Sequence, residues 1–153
     1  MKNIVLKYGG YGFVLSIVLF LLGLYFGKEV EYSTQEVIGY LTFIASLVFV
    51  FFGIKHFRDK ENNGKLSFGK GMMIGILISV ITAMGIAIAD LIYTTAINPD
   101  FLEEYKADMV AQGYKGEIPD YSSGFMAFIM FMTVLIIGLI ISLLSSIILQ
   151  RKN

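Results

Sequence analysis

Residues 72–92 read MMIGILISVITAMGIAIADLI, a predominantly apolar stretch that decides the fold class of this chain. At about 1.5 Å per residue, a helix of this length reaches about 30 Å, which is the thickness of the hydrocarbon core of a bilayer. The stretch lacks the alternation of polar and apolar residues that strands of a membrane barrel show. It therefore predicts a transmembrane helix.

Three further apolar runs of similar length lie at residues 8–26, 37–54 and 125–149. Of the 153 residues, 56% are hydrophobic and 16% are charged, so the polar remainder is too small to cover four such helices in water. The first run is too long for the core of a signal peptide and lacks a small-residue cleavage site. We expect an all-α polytopic membrane protein, with residues 1–153 forming a single four-helix membrane domain.

Basic residues are distributed unevenly between the two ends of the predicted bundle. One end holds nine of the twelve lysines and arginines. They are Lys2, Lys7, Lys55, Arg58, Lys60, Lys65, Lys70, Arg151 and Lys152. By the positive-inside rule, this end, with both chain termini, is expected in the cytoplasm. Nine of the twelve acidic residues fall at the opposite end, which agrees with this orientation but carries less weight.

The predicted outer loop, residues 98–124, is the longest segment outside the four runs. Asn98 and Pro99 are typical of a helix N-cap followed by proline at the first helical position, and Gly113 is typical of a helix end. Apolar residues between them recur at helical spacing. We expect a short amphipathic helix that lies on the membrane surface or on the bundle; a solvated connector is the alternative.

Small residues recur at every fourth position of the third run. They are Gly71, Gly75, Ser79, Ala83 and Ala87. The fourth run repeats this spacing with Gly138, Ser142 and Ser146. In lipid, small residues let helix backbones approach closely, and this approach drives helix association because apolar side chains gain little by leaving an apolar solvent. The pattern predicts packed faces, either within one compact bundle or between this chain and a second copy or another membrane protein.

Asp90 is the only acidic or basic residue within the predicted spans. On a helix it lies within about 20° of Ser79 and Ala83, so it is expected on the packed face. With Ser79, Thr82 and Ser142 it forms a candidate polar site inside the membrane. A functional Asp90 would hold a proton or a cation, whereas a structural one would bond to Tyr or Ser neighbours or reach outer water. Its place near the end of the span favours the structural role.

The sequence lacks the motifs of the common catalytic and cofactor sites. It has no cysteine, which excludes disulfides, thiolate metal sites and cysteine nucleophiles. The single histidine, His56, cannot supply a histidine pair for zinc or haem, and neither a phosphate-binding loop nor a dinucleotide fingerprint is present. The formal net charge of zero gives no bulk attraction to nucleic acid. We predict no catalytic residue, cofactor, metal or nucleic-acid partner.

The loop between the second and third runs is rich in basic residues. Its candidate contacts for anionic lipid headgroups are Lys55, Arg58, Lys60, Lys65 and Lys70. Each such charge contributes about 1 kcal/mol of attraction to an anionic membrane surface. The same cluster is also what the positive-inside rule predicts for any cytoplasmic loop, so it does not by itself indicate a lipid site.

The same loop carries most of a sequence signature. Its parts are Gly53-Ile-Lys-His-Phe-Arg-Asp-Lys, Asn63-Gly64 and Ser67-Phe68-Gly69-Lys70-Gly71, with Asn98-Pro99-Asp100-Phe101 and residues 138–152 further along. This signature resembles that of a bacterial family of short four-span membrane proteins, the domain-of-unknown-function family 4199. The resemblance implies a location in the bacterial inner membrane and a four-helix fold, and it implies no catalytic residue.

Two functions from different classes are compatible with these features. The first is a non-enzymatic accessory or scaffold subunit that acts through helix–helix packing, since packing surface is abundant and a reactive group of residues is missing. The second is a small oligomeric transporter or channel with Asp90 in its path.

Overall fold

The chain forms a bundle of long helices, described for residues 1–152 by a computed structural model, with residue 32 described by its backbone alone. Within the described residues, four helical segments are long and apolar enough to cross a membrane. They are Lys2–Glu29, Ser33–Glu61, Phe68–Ile97 and Ser123–Leu149. No strand occurs within the described residues. The predicted all-α, polytopic four-helix architecture is confirmed.

Of the six α-helices in the described residues, five build these segments together with three 3₁₀ or π-helical turns, and the sixth lies in the loop before the last segment. The helices are α1 (Lys2–Phe26), α2 (Tyr32–Ser46), α3 (Val48–His56), α4 (Phe68–Ile92), α5 (Phe101–Ala111) and α6 (Ser123–Leu149). A 3₁₀ turn at Gly27–Glu29 extends α1, and π-helical turns at Phe57–Glu61 and Tyr93–Ile97 extend α3 and α4. Each turn forms the last part of its segment and precedes a loop.

Serine side chains mark the start of two long helices. The Ser67 hydroxyl accepts a hydrogen bond from the Lys70 N–H at 3.4 Å, and the Ser122 hydroxyl accepts one from the Phe125 N–H at 3.2 Å. Each bond satisfies one of the N–H groups that a helix start leaves without an intrahelical partner. Both helices then run unbroken because the following residues are apolar and free of proline.

Helix α4 lies at the centre of the bundle, with α1 along one side and α6 along another. Helix α3 packs against all three of these helices, whereas α2 contacts mainly α1. The buried apolar residues at this junction are fully shielded, with 0% of the surface of Leu47, Val50, Ile54, Ile78 and Ile86 exposed. The apolar core therefore lies between α1, α3, α4 and α6.

The two ends of the bundle differ in charge. At one end, which we call the basic end, the N–H and C=O groups of Leu66 and Arg151 exchange two hydrogen bonds of 2.9 Å, and the Tyr8 hydroxyl lies 2.8 Å from Nδ1 of His56. These contacts bring the start of α1, the loop before α4 and the residues after α6 together. The opposite end, which we call the acidic end, carries α5.

The second membrane segment, Ser33–Glu61, contains an irregular turn at Leu47 that the apolar run at residues 37–54 did not predict. At Leu47 the backbone turns, and the Val50 N–H donates to the Leu47 carbonyl at 3.0 Å instead of continuing the α-helical pattern from Ser46. The Ser46 hydroxyl donates back to the Thr42 carbonyl at 2.8 Å, a bond that favours helix bending. The break lies beside Gly12 of α1, whose missing side chain makes room for the Ser46 carbonyl.

The predicted helix in the loop before α6 is present as α5, but it begins at Phe101 and not at Asn98–Pro99. Asn98 belongs to the preceding π-helical turn, because its N–H donates to the Tyr93 carbonyl at 2.7 Å. Its side-chain amide reaches forward to Glu104 at 3.0 Å. The helix packs onto the bundle through the Phe101 ring, whose centroid lies 5.2 Å from that of Tyr93. Gly113, with φ of +92°, follows its end.

Candidate functional site

Helices α4 and α6 fit together through glycine and serine residues. The facing pairs are Gly71 with Ser146, Gly75 with Ser142, and Ser79 with Gly138. A methyl group added to Gly71 would lie 2.7 Å from the Ser146 hydroxyl oxygen, and one added to Gly138 would lie 2.5 Å from Cβ of Ser79. Both distances are too short for real side chains, so the two backbones are as close as these residues allow. We call these three pairs the glycine–serine seam.

Two serine hydroxyls of the seam bond within their own helices. Ser79 donates to the Gly75 carbonyl at 2.8 Å, and Ser142 donates to the Gly138 carbonyl at 2.6 Å. Ser146 Oγ is buried and has no hydrogen-bond partner among the described residues. Ala83 is also buried, at 0% exposure, whereas Ala87 is half-buried at the margin of the same face. The seam is thus a packing surface inside one chain.

A second close approach joins α4 to α1, and the four-residue spacing in α4 did not reveal it. A methyl group on Gly85 would lie 2.8 Å from the Phe13 carbonyl oxygen and would also overlap Ser16. Thr82 stands against Gly12 in the same interface and donates its hydroxyl hydrogen to the Ile78 carbonyl at 3.0 Å. The sequence could have indicated this second interface, because Gly85 is a small residue of α4 that lies outside the four-residue series.

The four residues of the candidate polar site do not come together. Ser79 and Ser142 lie in the glycine–serine seam, and Thr82 faces α1. Asp90 is eleven residues beyond Ser79, which is about 16 Å along a helix. The distance of Asp90 from Ser79 along the helix follows from their sequence spacing, whereas the sequence does not show which neighbouring helix Thr82 faces.

Asp90 is buried, with 3% of its surface exposed. Its Oδ2 atom has no hydrogen-bond partner within residues 1–152, so the structure does not supply the Tyr or Ser donor expected for that atom. Burial of a polar atom without a hydrogen bond costs free energy, so this oxygen atom lies in an unfavourable environment.

The basic loop residues divide into two groups. Arg58 was a candidate lipid contact, but its side chain is only 10% exposed. Its Nε donates to Asp59 Oδ1 at 2.6 Å, and its Nη1 donates to the Leu149 carbonyl at 3.5 Å. Arg58 is therefore buried between the neighbouring Asp59 carboxylate and the end of α6, which separates it from the exposed basic residues of the loop. Lys55, Lys60 and Lys65 are exposed and Lys70 is half-buried.

A cleft of about 370 Å³ opens at the acidic end between α1, α2 and α5. Its apolar wall is formed by Phe20, Leu24, Ile38 and Ile97. Its polar lining is formed by Lys28, Gln35, Asn98, Glu104 and Asp108. Gly39 contributes to the space, because a methyl group there would have no atom within 4 Å. We call this opening the acidic-end cleft.

The charged groups of the acidic-end cleft come from separate elements. Lys28 follows α1, and its Nζ lies 5.7 Å from the centroid of the Tyr25 ring. Glu104 and Asp108 lie one turn apart on α5, and Glu104 accepts the bond from Asn98. Within residues 1–152, none of Lys28, Glu104 and Asp108 forms an ion pair. The cleft thus offers one cation and two anions to a ligand.

Gln35 holds one wall of the acidic-end cleft in place. Its side-chain amide donates to the Gly27 carbonyl at 2.6 Å and to the Val30 carbonyl at 3.0 Å, which ties α2 to the turn after α1. These carbonyls follow the end of a helix and need donors. The sequence did not predict the cleft, because its lining residues lie on segments separated by two membrane spans. The charge of Lys28, Glu104 and Asp108 was the one feature of the sequence that distinguished them from the spans.

Comparison with known proteins gives a family assignment. The family described as "Protein of unknown function (DUF4199)" matches residues 7–151. Neither the curated proteins nor the solved structures contain a match to the chain. Within the described residues, no group of three or more His, Asp or Glu side chains could hold a metal ion. Since the family match covers nearly the whole chain, this protein belongs to the DUF4199 family.

Proposed function

We propose that this protein is a non-enzymatic accessory subunit of a membrane assembly and that the acidic-end cleft is its binding site. The observation that carries the proposal is the convergence of unpaired charges from two elements, Lys28 on one side and Glu104 and Asp108 on the other, around an apolar wall. Concave sites with an apolar lining and a few polar groups are the usual form of a ligand site.

The glycine-rich faces support a fold-building role more than partner binding. Gly71, Gly75 and Gly138 are covered by serines of the same chain. The surface that remains open on α6 consists of large apolar side chains, such as Ile148 at 69% exposure and Phe128 at 57% exposure. Such a surface suits lipid and lacks the small residues that bring membrane helices into close contact. A partner or ligand is therefore expected at the ends of the bundle.

For the location, we propose the cytoplasmic membrane of a bacterium, with the basic end and both chain termini in the cytoplasm. The excess of lysine and arginine at that end supports this orientation. The acidic-end cleft then faces outward, at the level of the outer headgroups. The exposed Lys55, Lys60 and Lys65 would face anionic headgroups on the inner side.

Single cysteines test the cleft, because the natural chain has none. We would place one at Gly39, which lines the cleft where an added side chain would meet no atom within 4 Å, and a control one at Ala107, which is exposed on α5 outside the cleft. In native membranes, a membrane-impermeant maleimide should label Gly39→Cys about tenfold more slowly than in purified, delipidated protein, as a bound ligand at ten times its Kd would require. Ala107→Cys should not change. Equal labelling of both in both preparations would overturn the binding-site assignment.

The accessory role has its own measurement. Extraction in mild detergent followed by affinity purification should recover a membrane partner in constant ratio to the chain. A protein that elutes strictly as a monomer without a partner would contradict the role.

A small transporter or channel is the second candidate, and Asp90 favours it. A carboxyl group that is 3% exposed inside a span, with an oxygen atom lacking a partner in the described residues, is typical of a proton or cation path. In proteoliposomes, Asp90→Asn should abolish ion or proton flux, whereas Asp108→Asn at the exposed cleft should leave the flux intact. Unchanged flux in Asp90→Asn, or none in the natural protein, would eliminate this candidate.

A further inference from the structure

We infer that the acidic-end cleft selects the headgroup of an aminophospholipid, with phosphatidylethanolamine as the simplest example. The inference rests on the proposed function of the cleft as a binding site and names the ligand class. It follows from the arrangement of charge around the cleft, from the apolar wall beneath it and from its level in the membrane.

The charges match a zwitterion that carries a phosphate and a primary ammonium group. Lys28 can bind the phosphate, and Glu104 and Asp108 can accept hydrogen bonds from the ammonium group. Because Lys28 is not within ion-pair distance of either carboxylate in the described residues, the two charge types remain separated and available. A ligand with both charges can satisfy both sides without breaking a bond of the protein.

The apolar wall accounts for the rest of a lipid molecule. Phe20, Leu24 and Ile38 line the cleft on its membrane side, and they belong to α1 and α2, which are spanning segments. A headgroup bound at the polar lining would lay its glycerol and the first part of its chains along this wall. A free phosphate compound would leave the wall exposed to water, so the cleft favours a lipid over a soluble ligand.

The same arrangement discriminates between the common headgroups. Phosphatidylglycerol carries a phosphate but no cation, so Glu104 and Asp108 would repel it. Phosphatidylcholine carries a cation, but its quaternary ammonium has no hydrogen to donate to the carboxylates. Only a headgroup with a primary ammonium group meets both requirements. The carboxylates of α5 are therefore the residues that set the preference.

Lipid binding to the purified, delipidated full chain tests the inference. Native mass spectrometry would measure the apparent Kd of phosphatidylethanolamine, phosphatidylcholine and phosphatidylglycerol with matched acyl chains. We expect phosphatidylethanolamine to bind about tenfold more tightly than either of the other two lipids. Equal affinity for the three lipids, or tighter binding of phosphatidylglycerol, would overturn the inference.

Variants of α5 and of the turn after α1 assign the preference to the cleft. The double substitution Glu104→Gln and Asp108→Asn should remove the preference for phosphatidylethanolamine over phosphatidylcholine, and Lys28→Gln should weaken binding of both lipids. The matched control is Glu103→Gln, because Glu103 is exposed on the same helix and lies outside the cleft. A preference that survives the double substitution would overturn the inference, as would its loss in the control.

The labelling experiment at Gly39→Cys separates this inference from the proposed function, because that substitution leaves Lys28, Glu104 and Asp108 in place. Protection of that cysteine in native membranes, combined with equal affinity for the three lipids, would overturn the lipid assignment and leave the cleft as a binding site for another ligand. Absence of protection would overturn both.

Discussion

Glycine has opposite roles in the glycine–serine seam and in the acidic-end cleft. In the seam, glycines such as Gly75 are covered by a facing serine, and an added methyl group would overlap it. In the cleft, Gly39 faces open space, and a methyl group there would touch nothing within 4 Å. Small residues in a membrane helix thus either bring two backbones together or keep a site open.

This difference separates the stable part of the molecule from the part available for binding. The seam and the approach of α1 to α4 fix the centre of the bundle, where backbone atoms and buried side chains meet. Helix α2 contacts mainly α1, and no residue of α5 is buried. Segments with few buried contacts open at lower free energy than the core, and ligand sites are commonly found in them.

The strongest way to break the central packing is Gly85→Ala. The added methyl group would lie 2.8 Å from the Phe13 carbonyl oxygen, and a backbone atom cannot rotate away as a side chain can. Helix α1 would have to move off α4, and the free energy of unfolding should fall by about 2–3 kcal/mol. Unfolding in mixed detergent micelles measures this change. A stability equal to that of the natural protein would show that α1 is not held there.

A matched pair of glycine substitutions compares the seam with the cleft directly. In Gly75→Ala the methyl group would lie 2.7 Å from Cβ of Ser142, which side-chain rotation cannot move, so α4 and α6 must separate slightly and the free energy of unfolding should fall by about 1–2 kcal/mol. In Gly39→Ala the space is open, and the change should stay within about 0.5 kcal/mol or be stabilising. Similar losses in the two variants would contradict the distinction between them.

Replacing Asp90 with Asn should stabilise the fold. The amide is nearly isosteric and carries no charge, so the buried position no longer imposes the desolvation of a carboxylate, and the free energy of unfolding should rise by about 1 kcal/mol. Asp108→Asn is the control, because Asp108 is exposed and should be neutral in the same assay. A clear loss of stability in Asp90→Asn would reveal a donor that binds the carboxylate in the natural protein.

The smallest expected effect concerns the turn beside the cleft. Thr94 donates its hydroxyl hydrogen to the Asp90 carbonyl at 2.9 Å within the π-helical turn. Thr94→Val keeps the shape and removes this bond, so the loss should be about 0.6 kcal/mol. Faster hydrogen exchange at the Asn98 N–H, together with unchanged exchange of the backbone N–H groups in the seam, would show that the loss of stability is confined to this turn. Equal protection at Asn98 in both proteins would show that the hydroxyl does not hold the turn.

The overall fold was predictable because a bilayer leaves few choices. Continuous apolar runs must satisfy their backbone groups internally, so each run becomes a helix, and the four runs give the bundle. The break at Leu47 was not predictable, since no proline or glycine marks it. It depends on a bond within α2 and on Gly12 of another helix, and neither relation appears in the local sequence.

The sites were predictable only where one helix carries the whole pattern. Gly71, Gly75 and Ser79 share a face of α4, and their spacing indicated it before any partner was known. Arg58 was a candidate lipid contact because of its charge, and the sequence did not show that the fold brings the end of α6 within its reach. The acidic-end cleft joins residues after the first span to residues after the third, and no spacing rule connects such distant positions.

The reciprocal order of the seam has an evolutionary consequence. Because Gly75 faces Ser142 while Ser79 faces Gly138, either helix can carry the bulkier member of a pair without changing the distance between the helix axes. Exchanging the two residues of one pair, as in Gly75→Ser with Ser142→Gly, preserves the shared volume, whereas either change alone does not. Homologous chains can therefore diverge at these positions by compensatory exchange, and covariation between them would record it.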